Sequence, residues 1–215
     1  MQPTKKLAAL ATTALLAFTL APAVTSFADT SSDQQSTTAS IAFNKEEETN
    51  PGEEGDLQLK SVPTLDFGSV DRNKTSDQAY TLTGADPQVD LVDGRGTAAG
   101  WSLSAKLGAI KGTNDAGTSG TLTAAQLYFN NGDVATTGVG TAPSGVSTSN
   151  MLTAGGDEVA LMTAATGEGT GEWVQSWGAD DVSLNVRQGT AMANASYSGT
   201  IDWKLSNSVT DSSTF

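Results

Sequence analysis

The chain contains no cysteine and no histidine. Thiol nucleophiles, histidine-based triads and ordinary zinc sites are therefore excluded. No disulfide can brace the fold either, although small secreted domains often rely on them. The chain must be held by its apolar core, which roughly 150 ordered residues in one domain can supply.

Cations are also scarce: 11 Lys and Arg stand against 24 Asp and Glu, a formal charge of −13. Nucleic acid is not expected as a ligand, because phosphate binding needs a cationic footprint. The same charge repels anionic lipid headgroups and anionic wall polymers at long range. Binding to such a surface must come from short-range contacts or from a protein partner, and the bland role of the charge is solubility.

Long apolar runs are missing except at the start. Lys5 and Lys6 precede an apolar stretch from Leu7 to Ala21, and Ser26-Phe27-Ala28 offers small residues where a signal peptidase reads. As a helix, that stretch would reach about 22 Å, short of the roughly 30 Å hydrocarbon core. Residues 1–28 read as a signal peptide cut after Ala28, and no direct membrane insertion is expected. Without Lys5 and Lys6 the charge becomes −15. The end, "NSVTDSSTF", shows no hydrophobic tail with a sorting motif. Attachment to a cell surface is expected to be non-covalent or through a partner.

What remains is Ser, Thr, Gly and short alternating apolar stretches. Residues 29–55 are Ser, Thr, Gln and Glu with the run "KEEETNPGEEG", which cannot bury enough apolar surface to offset ordering and reads as a disordered acidic arm. From residue 56 to 215 one domain is expected. "DLQLKSVPTLDFGSV", "AYTLTG", "QVDLVDG", "GWSLSAKL", "AAQLYFN", "DDVSLNVRQG" and "YSGTIDWKLS" alternate, and Asp93-Gly94, Asn130-Asn131-Gly132 and Gly155-Gly156 mark turns. "TAAQLYF" is compatible with one helical turn, and residues 132–156 are expected to be loops. The pattern predicts an all-β fold, an antiparallel β-sandwich of immunoglobulin-like type.

Two Trp-x-Leu triplets stand out among only four tryptophans, Trp203 lying 102 positions after Trp101. With a period of two, Trp101, Leu103, Ala105 and Leu107 share one face. Tyr197, Gly199, Ile201, Trp203 and Leu205 share another, read as a single strand. Each triplet is then two successive inward positions, and a buried tryptophan removes on the order of 200 Å² from water. The functional alternative keeps the indoles at a surface for stacking on sugars or holding a peptide. Trp173 and Trp177, in "GEWVQSWG", fit one face less clearly, and serve equally well as surface aromatics or as a lid folded onto the core.

These blocks resemble the WxL-domain surface proteins of low-GC Gram-positive bacteria. The resemblance runs from "GDLQLKSVPTLDFGSV" to "IDWKLS". It includes Asp93, Arg95 and Gly96 ahead of Trp101-Ser102-Leu103, and Tyr197 with Ile201, Trp203 and Leu205. Members commonly close with a proline after the second triplet, where this chain reads "SNSVTDSSTF".

The resemblance implies a non-enzymatic, secreted cell-surface protein that attaches non-covalently to peptidoglycan. It also implies a membrane-anchored WxL-interacting protein as partner, and adhesion to host matrix proteins. Trp101, Leu103, Trp203 and Leu205 are the expected wall or partner-binding motif, with Asp93, Arg95, Gly96, Tyr197 and Ile201 supporting it. The alternative is an adhesive subunit held only by a protein partner, through exposed edge strands, with the triplets serving as core. No cofactor and no metal are expected: Asp86, Asp90 and Asp93 lack the alternating oxygen ligands of a calcium loop. A carboxylate pair would be the remaining route to hydrolysis, but 24 acids supply chance pairs freely, and Asp180 and Asp181 would point to opposite faces of a strand.

Overall fold

Alternation of apolar and polar residues from Leu57 onward produces strands throughout. A computed structural model describes residues 36–41 and 57–207. The expected signal segment, and most of the expected arm, lie outside these residues. The described elements are β1 (Ser36–Ile41), β2 (Leu57–Ser61), β3 (Leu65–Asp71), β4 (Gln78–Thr81), β5 (Gln88–Asp93), β6 (Trp101–Leu107), β7 (Lys111–Asn114) and β8 (Ser119–Thr121). They continue with β9 (Gln126–Asn130), β10 (Asp133–Thr136), β11 (Gly145–Val146), β12 (Ser149–Thr153), β13 (Val159–Ala164) and β14 (Gly171–Ser176). After a short 3₁₀ turn (Ala179–Asp181) come β15 (Val182–Val186), β16 (Ala195–Ser198) and β17 (Ile201–Ser206).

The fold is all-β and sandwich-like, as the pattern predicts. Its strands divide among four sheets: β3-β1-β16-β7-β8, β10-β14-β5-β2, β11-β13-β6-β17 and β12-β9-β15-β4. Every pairing is antiparallel except β1 with β16. Period-two strands place Leu65 and Phe67, Val89 and Leu91, Leu127 and Phe129, and Val182 and Leu184 in one shared core. Phe129 joins the sheets: its ring lies 4.8 Å from that of Trp177 and 6.1 Å, edge-on, from that of Trp203.

Four local expectations are corrected. Residues 132–156 hold β10, β11 and β12 rather than loops alone, because Leu152 supplies a buried anchor and Asn150 is buried beside it. In "TAAQLYF" the chain turns at Thr123 and Ala124, with Ala124 at φ 54, and from Gln126 it is strand β9 and not helical, so that Leu127 and Phe129 point inward. Asp180 and Asp181 belong to the 3₁₀ turn and not to a strand. Ser36–Ile41, inside the stretch read as a disordered arm, forms β1 between β3 and β16; "STTASI" carries β-branched residues and no charge, so local β-propensity outweighs the polar average of the arm.

Tyr197 and Trp203 also do not share one strand. The chain leaves one sheet after Ser198 and enters another at Ile201. At this corner the Gly108 N–H donates to the Thr200 carbonyl at 2.8 Å. Strands that change sheets in this way form the corners of sandwiches.

Candidate functional site

The two Trp-x-Leu triplets lie on neighbouring antiparallel strands. Leu103 faces Leu205 directly across β6 and β17, Trp203 faces Ala105, and Ile201 faces Leu107. A sequence separation of 102 residues thus becomes one cross-strand pair. The contact follows from the register, since matching the two inward rows fixes which residues meet.

Both indoles are inside. Trp101 is 0% exposed and Trp203 1%, Leu103 and Ile201 are buried, and Leu205 is half-buried. Trp101 donates its indole N–H to the Gly169 carbonyl at 2.9 Å. Gly169 has φ +73, and a Cβ placed there would meet the Trp101 Nε1 at 2.4 Å. Only glycine allows the 165–171 turn to close over the indole at that distance. The Trp203 Nε1 has no hydrogen-bond partner among the described residues.

The segment ahead of Trp101 is fastened by one ion pair. Arg95 donates from Nε to Asp93 Oδ1 and from Nη2 to Oδ2, each at 2.8 Å, and also from Nη2 to the Gly100 carbonyl at 2.9 Å. The Arg95 backbone N–H adds a bond to Asp93 Oδ1 at 3.1 Å. This is the two-pronged arginine–carboxylate geometry, and it closes residues 93–100 into a loop that delivers Trp101 to the start of β6. Gly96, at φ 67, makes the reversal. Burial alone would push the Asp93 carboxyl up, but the Arg95 side-chain bonds, backbone N–H and charge together outweigh it and hold the group below its usual value. Arg95 is raised correspondingly, chiefly by its bond to Asp93.

A second loop leans on the first. The Gly167 N–H donates to the Ala98 carbonyl at 2.8 Å. Glu168 accepts from the backbone N–H groups of Ala165 and Ser144, at 3.1 and 2.9 Å, and these bonds, Ala165 first, lower its pKa. The sequence reading did not single out Gly169 or Glu168; the signal available was the glycine-rich run "ATGEGTGE".

Tyr197 does not join the triplets. It sits on β16 in another sheet, where its hydroxyl accepts from the Met192 N–H at 2.7 Å. Trp173 and Trp177, each 2% exposed, are core residues. Trp173, Gln175 and Trp177 alternate inward from β14, with Glu172, Val174 and Ser176 on the other side. A glutamine at the central inward position hid that alternation from the sequence reading. Gln175 is 0% exposed, and neither of its amide atoms has a partner among the described residues.

Chemically, this region is a sealed sheet with a polar outer surface. Among the described residues no three His, Cys, Asp or Glu side chains gather as metal ligands, and no helix is long and apolar enough to cross a membrane. Comparison with curated proteins and with solved structures yields no match. The family model described as "WxL domain surface cell wall-binding" matches residues 19–208. The chain, with its two triplets paired on β6 and β17, therefore belongs to the WxL family of surface domains that bind the cell wall.

Proposed function

We propose that the chain is a secreted, non-catalytic surface protein that holds non-covalently to peptidoglycan through this domain, with residues 1–28 removed on export. The observation that carries the reading is the direct pairing of the two triplets in a domain whose family binds the cell wall. Trp101, Leu103, Trp203 and Leu205 act by building the sheet that presents the binding surface. Asp93, Arg95 and Gly96 fix the loop that starts it, and Ile201 fixes its other end, while Tyr197 supports it only from the neighbouring sheet. A membrane-anchored WxL-interacting protein and a host matrix protein are the partners that this reading adds. The test is to incubate the purified mature chain with purified Gram-positive sacculi and sediment them. Recovery in the pellet over a range of pH and salt supports the reading; a chain that stays in the supernatant throughout refutes direct binding.

A second reading draws on the burial of both indoles. The triplets are then core alone, and a protein partner holds the chain at the surface by pairing with an edge such as β17, which ends its sheet. Under that reading sacculi alone recover nothing, and sacculi preloaded with the partner recover the chain.

A further inference from the structure

We infer that the wall is met by the outward face of the β6–β17 pair, and that the ligand is peptidoglycan, with hydroxyl oxygens from its glycan strand and carboxylate oxygens from its stem peptides. The inference rests on the wall-binding reading above and places its contact surface. Period two decides which side chains lie on that side: Ser102, Ser104 and Lys106 alternate with the apolar row of β6, and Asp202, Lys204 and Ser206 with that of β17. Ser104 is itself buried and bonded to Glu158, so the accessible members are Ser102, Lys106, Asp202, Lys204 and Ser206. The central residue of each triplet, Ser102 in one and Lys204 in the other, is outward because its neighbours are inward.

The register sets these six residues in a grid. Ser102 faces Ser206, Ser104 faces Lys204, and Lys106 faces Asp202. Cross-strand neighbours stand about 5 Å apart, and successive outward positions about 7 Å apart along each strand. The grid offers ammonium and hydroxyl donors beside hydroxyl and carboxylate acceptors. It has no aromatic or large aliphatic side chain. The buried centre of a protein interface is usually depleted in charge and enriched in aromatic residues, whereas a hydroxyl-rich polymer is matched by mixed donors and acceptors.

Charge points the same way. The chain carries −13 overall, and an anionic wall repels it from most directions. Lys106 and Lys204 are both exposed, and neither forms an ion pair among the described residues, where Arg95 with Asp93 does. Asp202 is half-buried, and Glu158, from the turn before β13, is engaged as the acceptor of the Ser104 hydroxyl. The face therefore sums to about neutral in an acidic protein, and its two free ammonium groups can take carboxylate oxygens.

The test uses the full mature chain and sacculi before and after acid removal of secondary wall polymers. Lys106→Glu with Lys204→Glu is expected to lower the bound fraction about tenfold or more, with thermal unfolding nearly unchanged. Wild-type binding is expected to survive the stripping. If the charge reversals perturb folding, Lys106→Gln with Lys204→Gln replaces them, with a smaller loss expected. A folded double variant that binds like the wild type overturns the contact face while leaving wall binding intact. Loss of wild-type binding on stripping overturns peptidoglycan as ligand. A wild type that binds neither preparation fails the wall reading itself.

Discussion

Two tryptophan-bearing stretches of this molecule end up equally buried by different routes. On β6 and β17, Trp101 and Trp203 stand in clean apolar alternation, and each is flanked along its strand by a small or aliphatic inward neighbour. On and just beyond β14, Trp173 and Trp177 flank Gln175, a polar residue with no partner among the described residues. The first arrangement is consistent from pattern to packing except at the Trp203 Nε1, which is buried without a partner among the described residues. The second places an uncompensated amide in the core, a local conflict that a folded protein tolerates only against a surplus elsewhere. Burial of an aromatic ring is thus decided by the sheet it belongs to, and not by the polarity of its immediate neighbours.

The contrast can be broken most directly at the triplets. Trp101→Ala and Trp203→Ala are each expected to cost about 3–5 kcal/mol of stability, as large-to-small core changes do. Chemical denaturation would measure this; a loss below 1 kcal/mol for either would mean that its indole is not core. The next effect is at the lid over Trp101. Gly169→Ala forces a positive φ on a residue with a Cβ and drives that Cβ into the indole, so a loss of about 2–4 kcal/mol is expected. Since the Trp203 indole has no such lid, the same variant should leave the near-ultraviolet signal of Trp203 in place once a Trp101→Phe background isolates it.

Acid should loosen the start of β6 before it affects the β14 region. Asp93 is held below the usual aspartate range, so its contribution is complete above about pH 5, where the unfolded carboxyl is almost fully ionised. It is lost as pH falls through the lower folded value. Melting curves of wild type and Asp93→Asn from pH 6 to pH 2.5 should converge toward the acid end; a constant gap would show that the Asp93–Arg95 pair does not drive the difference. The smallest effect, opposite in sign, is at β14. Gln175→Leu removes two buried polar atoms without partners and keeps the volume, and a gain of about 1 kcal/mol is expected. A loss of similar size would show that the amide is satisfied after all.

The alternation in "GWSLSAKL" and "IDWKLS" was sufficient to predict strands and a shared face for Trp101 and Leu103 and for Ile201 and Trp203, while the choice between core and surface for the two indoles came from the structure. It also foretold an all-β architecture, because no stretch from Leu57 onward sustains a helical period. Three things were not legible. The pairing partner of β6 was hidden because register depends on long-range closure, with no local marker that Leu103 would meet Leu205. The break between Tyr197 and Ile201 was hidden because Gly199 and Thr200 keep the period of two while the backbone turns from one sheet to another. The Trp173–Trp177 face was hidden because the sequence rule equates inward with apolar, and Gln175 violates it.

By itself, then, the sequence determined the class of the fold, the acidic character and which residues of the two triplet strands share a face. It excluded thiol and histidine chemistry through residues it does not contain. Those are properties of composition and period, and both are local. The tertiary structure alone decided that the two triplets are one cross-strand unit, that Gly169 caps Trp101, and that Ser102, Lys106, Asp202 and Lys204 share one outward grid. Each of these requires residues tens of positions apart to be brought together at fixed distance. That geometry is set by how several sheets bury one core in common, and no short window of residues contains it.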